Sequence, residues 1–230
     1  MPTKDFDLPE IGKVKIYKRR GSRGIRISLH PEQYVRVTMP SWLPYKVGLN
    51  FVQARSGWID TKRKSRRLLT QDMIIGKKHC LKFFPSHQSI TRAKVGSSVI
   101  SVHYPAINSI SDDSVQETAR KAALTVLKIE AELLLKSRLK QLSVKHGFTY
   151  RLLRLRYLKS RWGSCTSKGD ITLNTMLMTL PWSLIDHVLL HELLHTKILK
   201  HGPDFWIAFE KLAPGAKKRQ KQLRNYQPQF

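Results

Sequence analysis

Two histidines four residues apart, the first followed directly by a glutamate, restrict this chain more than any other feature: His191-Glu192-Leu193-Leu194-His195. On a helix, residues i and i+4 lie about one turn apart on one face, so both imidazoles reach a single ion. Glu192 is rotated by one residue and meets a water on that ion rather than the ion itself. A catalytic zinc takes three protein ligands and keeps its fourth position open. His201 supplies the third if the chain turns after Leu199. Gly202, Pro203 and Asp204 favour that turn, as a cap, a first-turn proline and an acidic helix start. Chance produces the five-residue pattern about 0.01 times in a chain with this His and Glu content, so the spacing is treated as chemistry. Leu184, Ile185, Val188, Leu189, Leu193 and Leu194 form a buried side that leaves His191 and His195 facing a cleft. His187 lies on the same stripe one turn earlier and reads as a surface or supporting residue, because three ligands and a water already complete the site.

The rest of the chain predicts an α+β fold. Residues 13–40 alternate like strands (Val14 and Ile16; Ile25, Ile27 and Leu29; Val35, Val37 and Met39), with breaks at Gly21-Ser22 and at His30 to Gln33. A helix is expected from about Tyr45 to Lys64, then short strands over 73–75, 80–84, 89–95 and 98–104. Ser114 and Glu117 have capping-box spacing ahead of a long helix that runs to about His146 and stops at Gly147, with Val115, Ala119, Ala122, Val126, Ile129, Leu133, Leu139 and Leu142 as its apolar positions. A strand over 149–158, a hairpin returning through Ile171 to Asn174, and helices over about 182–199, 203–212 and 216–225 complete the reading. The pattern suggests a β-rich part with one helix over residues 1–110 and a helical catalytic part over 111–230. No internal repeat of 20–50 residues is visible.

Hydrophobic residues at 41% and charged residues at 25% exclude wholesale disorder. No apolar run approaches the roughly 18–20 residues of a membrane span. Met1 to Asp7 carries no apolar leader segment, and two cysteines, Cys80 and Cys165, fit a reducing compartment, so a cytoplasmic location is expected. The 42 Lys and Arg against 16 Asp and Glu leave a net charge of +26, which attracts polyanions. The excess is spread along the chain: residues 1–100 hold 21 basic and 6 acidic side chains, and residues 101–230 hold 21 and 10. The densest run, Lys62 to Arg67 around Ser65, reads equally as a solvated helix end and as a phosphate-contacting patch.

A second motif precedes the histidines. Lys159-Ser160-Arg161-Trp162-Gly163-Ser164-Cys165 leads through Gly169, Ile171, Leu173 and Asn174 to His191-Glu192-Leu193-Leu194-His195, then His201, Phe205 and Trp206. This combination resembles the YgjP-like metallopeptidase family, zincins related to the SprT and Wss-type proteases, over nearly the whole chain. Arg23 to Pro40 is similar to the family's opening hairpin, and Trp58 to Arg67 to its basic helix end. The resemblance implies a zincin-like metallopeptidase domain, a zinc ion held by His191, His195 and His201, and Glu192 as the catalytic carboxylate. Leu194, Thr196, Ile198 and Gly202 depart from commoner family residues without touching the ligands or the base.

The expected mechanism is attack of a zinc-bound water, activated by Glu192, on a peptide carbonyl. Arg161 and Tyr157 are candidates for stabilising the oxyanion, and Lys159, Arg161, Trp162 and Tyr157 for contacting substrate. Trp162 fits packing under the metal helix or lining the cleft. Cys165 reads as a small loop residue, Phe205, Trp206 and Phe209 as core, and Asn174 either as a partner of a ligand His or as a plain turn residue. A polypeptide is the leading substrate, with DNA or another polyanion as a further partner through the basic surface. Two rival functions remain open: a nucleoside triphosphate pyrophosphohydrolase converting UTP to UMP and pyrophosphate, as the resemblance also implies, with Lys159, Arg161 and Lys168 as phosphate contacts; and a nucleic-acid-binding module with a structural zinc, against which three His and a positioned Glu argue.

Overall fold

In the computed structural model of the chain, residues 3–30, 34–64 and 68–228 are described, without the side chains of 61–64. They form two compact units, residues 1–67 and 68–230. The division falls earlier than the one expected near residue 110, because the strands after residue 72 share a core with the long helix that follows them. No helix among the described residues is long and apolar enough to cross a membrane. The basic run from Lys62 to Arg67 lies outside the described side chains.

The first unit is a four-stranded sheet followed by two short helices. Its strands are β1 (Thr3–Leu8), β2 (Gly12–Arg19), β3 (Arg26–Leu29) and β4 (Val35–Pro40), in the spatial order β1-β2-β4-β3. β2 and β4 run parallel and the outer pairs are antiparallel. The parallel register sets Val14 beside Val35 and Ile16 beside Val37, so the period-2 alternation places one apolar face of both central strands on the same side. That face is fully buried with Met39, Val52 and Ile59; each such side chain contributes about 1.5–3 kcal/mol by leaving water. β1 was not legible as a strand in the sequence. The helix expected over 45–64 is divided into α1 (Tyr45–Gln53) and α2 (Ser56–Lys64): the Ala54 N–H donates to the Asn50 carbonyl and the Arg55 N–H to the Val52 carbonyl, closing α1 there.

The second unit repeats that sheet. β5 (Met73–Ile75), β6 (His79–Ser86), β7 (Arg92–Val95) and β8 (Val99–Pro105) take the order β5-β6-β8-β7, again with a parallel central pair. Leu81, Ile100 and Val102 bury its inner face against α3 (Asp113–Lys145), a helix of 33 residues and about 50 Å. α3 begins at Asp113 with Asp112 as its cap and no side-chain capping bond, so the Ser114/Glu117 box does not form. Its end agrees with expectation, at His146 and then Gly147 at φ +65°. The buried stripe runs through Val115, Ala119, Ala123, Leu127, Ala131, Leu135 and Leu139, and Ile129 and Leu133 face solvent instead. A continuous stripe at 3.6 residues per turn passes through 127, 131 and 135 and leaves 129 and 133 on the far side.

A second, three-stranded sheet follows: β9 (Leu152–Arg156), β10 (Gly163–Cys165) and β11 (Asp170–Asn174), in the order β10-β11-β9. The strand expected over 149–158 does not form the hairpin with β11: β9 pairs with β11 in parallel, and the antiparallel partner of β11 is β10. A 3-10 turn over Thr175–Thr179 leads to α4 (Trp182–Leu194), α5 (Pro203–Leu212) and α6 (Ala216–Leu223). α4 is shorter than the 182–199 expected, because His195 caps it and the chain turns at Thr196 and Lys197.

Candidate metal centre

α4 carries the six apolar residues of its expected buried side fully into the core, and this orients the histidine stripe. His191 is half-buried, His195 is buried, and His201 sits exposed in the loop between α4 and α5. Their Nε2 atoms form a near-equilateral triangle: 3.1 Å between His191 and His195, 3.0 Å between His195 and His201, and 2.9 Å between His201 and His191. Two nitrogen ligands of a tetrahedral ion, each about 2.0–2.1 Å from it, lie about 3.3 Å apart. The triangle is close to that size. Among the described residues, this is the one cluster of three or more His, Cys, Asp or Glu groups that can hold a metal ion.

The donor chemistry agrees. The His195 Nδ1–H donates to the Ile198 carbonyl at 2.9 Å, which fixes its Nε2 as a lone pair aimed at the other two nitrogens. Burial lowers the His191 pKa to about 3, and the neighbouring His195, His201 and His187 add to the effect. Burial also lowers that of His195, against the pull of its bond to Ile198. Neutral imidazoles, the metal-binding form, are thereby favoured. Three lone pairs facing one another repel unless a cation lies between them. Phe205, at 0% exposure on α5, forms the floor, its ring centroid 4.7–5.0 Å from those of all three histidines. Pro203 opens α5 with Gly202 as its cap, as the sequence indicated.

Glu192 points from the same helix turn into a dry position. Burial raises its pKa to about 8, opposed by the positive charge of Arg161. Its Oε2 is buried without a hydrogen-bond partner, as is the His191 Nδ1. Its other side rests on β10: a Cβ built on Gly163 would lie 2.6 Å from Glu192 Oε1 and 2.9 Å from Cδ. Only a glycine lets the strand backbone approach the carboxylate this closely. Gly163 stands in the second motif, but its role depends on β10 lying beside α4, which no local pattern announces.

The other expected residues fall into three groups. Arg161 is exposed on the loop before β10 and its charge reaches Glu192. Tyr157 and Lys159 lie exposed on the same loop, and Trp162 is half-buried against the main core, which favours the packing reading of that residue. Asn174 takes the turn role rather than that of a partner to a ligand His: it ends β11 and caps the 3-10 turn. Fully buried, it clamps this loop: its Nδ2 donates to the Leu158 and Arg161 carbonyls at 2.6 and 2.8 Å, and its Oδ1 accepts from the Leu158 and Met176 N–H groups. His187 is buried, donates from Nε2 to Gln220 Oε1 at 3.0 Å, and stays out of the triangle. Cys165 is a free thiol on β10, pushed up to about 11 by burial and then by the Glu192 and Asp170 charges, which keeps it protonated and unreactive. Of the departures from the family pattern, Leu194 is buried and the Thr196 hydroxyl donates to the Leu193 carbonyl at 2.7 Å.

A family model of the YgjP-like metallopeptidase domain matches residues 23–226. Among solved structures the chain is similar to the metallopeptidase zymogen of Pyrococcus abyssi abylysin, 28% identical over 40% of this chain and 93% of that one; the TM-score of 0.36 lends the likeness no weight. No curated protein matches. The match over 23–226 spans the histidine triangle, the glutamate and the strand against it, and the chain belongs to the YgjP-like metallopeptidase family.

Proposed function

We propose that the protein is a zinc metallopeptidase acting on extended polypeptide, with His191, His195 and His201 as the metal ligands and Glu192 as general base and acid. The observation that carries this reading is the convergence of three Nε2 atoms within 3.1 Å of one another beside a buried carboxylate with one unpartnered oxygen. Three nitrogen donors without a fourth protein ligand suit a catalytic zinc better than a structural one. Bound there, zinc supplies a Lewis acid that acidifies water and polarises the carbonyl under attack.

The remaining steps belong to the chain. Glu192 accepts the proton of the attacking water at Oε2 and delivers it to the departing amine. Gly163 holds the carboxylate against β10 and thereby sets the direction in which Oε2 points. β10 is the edge of its sheet, paired on one side by β11, so its other side offers backbone groups for an extended peptide, which would place a carbonyl over the site. Arg161 carries the positive charge that acts on Glu192 and is assigned to the substrate backbone.

The test compares wild type with Glu192→Gln for zinc content and for hydrolysis of an unfolded polypeptide, with UTP assayed in parallel. The expected result is equal zinc in both proteins, cleavage by the wild type, and turnover lowered about 10²–10⁴-fold in the variant. Undiminished turnover in Glu192→Gln removes its assigned role. Production of UMP and pyrophosphate without proteolysis replaces the substrate, and tightly held zinc with neither activity makes the metal structural.

A further inference from the structure

We propose that the groove between β3 and the α1–α2 pair binds single-stranded nucleic acid, a site independent of the metal centre. The groove, about 430 Å³ in volume, is lined by Ile25, Arg26, Ile27, Phe51, Arg55 and Trp58. β3 forms one wall as the edge strand of its sheet, and one face of α1 and α2 forms the other. Trp58 is 41% exposed, although the chain buries Ile59 beside it completely. Phe51 is half-buried, with the Arg55 guanidinium 5.3 Å from its ring centroid.

The chemistry selects the occupant. Arg26 and Arg55 are exposed and join none of the ion pairs among the described residues, so both charges are available to a ligand. Residues 1–67 hold 16 Lys and Arg against 5 Asp and Glu, a field that draws a polyanion to this unit in particular. Two guanidiniums outside those ion pairs, lining one groove with an open indole, match a phosphate–base–phosphate unit: the arginines take the backbone oxygens and the base lies on the ring. An acidic peptide offers the charge but no broad flat face for Trp58. A duplex offers phosphates but keeps its base faces inside the stack, so an indole in a groove has nothing to receive.

The experiment is fluorescence anisotropy of the full chain with a labelled oligothymidylate of about fifteen nucleotides across a salt series. Trp58→Ala is expected to weaken binding about tenfold, and Trp58→Phe, which keeps a ring, to stay within about threefold of wild type. Replacing Arg26 and Arg55 together by Gln lowers the log–log salt slope by about 1.4, at about 0.7 per lost phosphate contact. Thermal unfolding and hydrolysis of a short peptide stay at wild-type values in all three variants. Binding that is indifferent to Trp58→Ala reduces the interaction to diffuse charge and overturns the proposal. So does equal loss in Trp58→Ala and Trp58→Phe, which removes stacking. Capture of a labelled oligoglutamate with the same dependence on Trp58 assigns the groove to acidic peptide instead. Glu192→Gln binds the oligonucleotide as wild type does, so failure here leaves the peptidase reading untouched, and the reverse holds.

Discussion

Residues 68–230 contain two buried glutamates, each lying against a glycine, and they are treated oppositely. Glu130 of α3 is 2% exposed and Glu192 of α4 is 5% exposed. Around Glu130 every oxygen is used. Oε1 accepts from His79 Nδ1 at 2.7 Å and from the Lys78 N–H, and Oε2 accepts from the Lys77 N–H at 2.6 Å. Gly76, at φ +71°, makes the turn that brings these donors in, and a Cβ there would run into the carboxylate. The Lys77 ammonium in turn donates to the Leu180 carbonyl and lies 5.2 Å from the Trp182 ring, tying the β5–β6 turn to the start of α4. Around Glu192 a glycine also lies against the carboxylate, yet Oε2 is left without a partner. A buried carboxylate whose oxygens are all bonded recovers its desolvation cost within the fold. One left partly unbonded is a net cost to folding, and such costs concentrate where chemistry is done. The pair separates a glutamate that holds the fold from one that the fold holds ready.

Mutations at the four positions can break that contrast. The largest effect is expected for Glu192→Gln, which lowers turnover about 10²–10⁴-fold with no loss of thermal stability; a fall in melting temperature would place Glu192 in the structural class. Glu130→Ala should do the reverse. Leaving His79 and the turn N–H groups unpaired costs about 3–5 kcal/mol, or a melting point lower by about 10 °C at roughly 2–4 °C per kcal/mol, while metal content per folded molecule is unchanged. Gly163→Ala pushes a methyl against Glu192 Oε1 and is expected to reduce kcat about 10–100-fold with KM and stability nearly constant, as a displaced general base does. A matching Gly76→Ala variant costs about 1–3 kcal/mol through its left-handed backbone and leaves kcat alone. The smallest effect is expected for Arg161→Gln, a loss of a few-fold in turnover from an exposed charge acting through solvent. Steady-state kinetics beside differential scanning calorimetry reads the whole series.

The contrast also marks what was readable before any coordinates. The convergence of His191, His195 and His201 was, because the i and i+4 spacing and the Gly202-Pro203-Asp204 helix start are local signals, and α5 begins at Pro203 as they require. The central strands of the first sheet were legible through their alternation, and the end of α3 through Gly147. The role of Gly163 and the loop clamp by Asn174 were not, since they depend on which strand lies beside which helix, and β9 pairing with β11 in parallel is a non-local choice that no window contains. The Glu130 cluster was missed for the same reason: 51 residues separate it from His79. On α3, Ile129 and Leu133 misled because hydrophobicity alone does not fix helical phase.

The two four-stranded sheets share one strand order and one pattern of directions, without a sequence repeat to announce it. In each, the central strands are parallel and the strand between them in sequence is set aside to an edge, so neither sheet can grow as a chain of hairpins. β2 finds its inner neighbour only when β4 exists, and β6 only when β8 does. During synthesis both sheets must therefore wait with a central strand unpaired until their fourth strand arrives. The wait is longer-range than a hairpin closure and correspondingly slower. Kinetic vulnerability in these two sheets thus lies at two moments, before residue 40 and before residue 105 have been made.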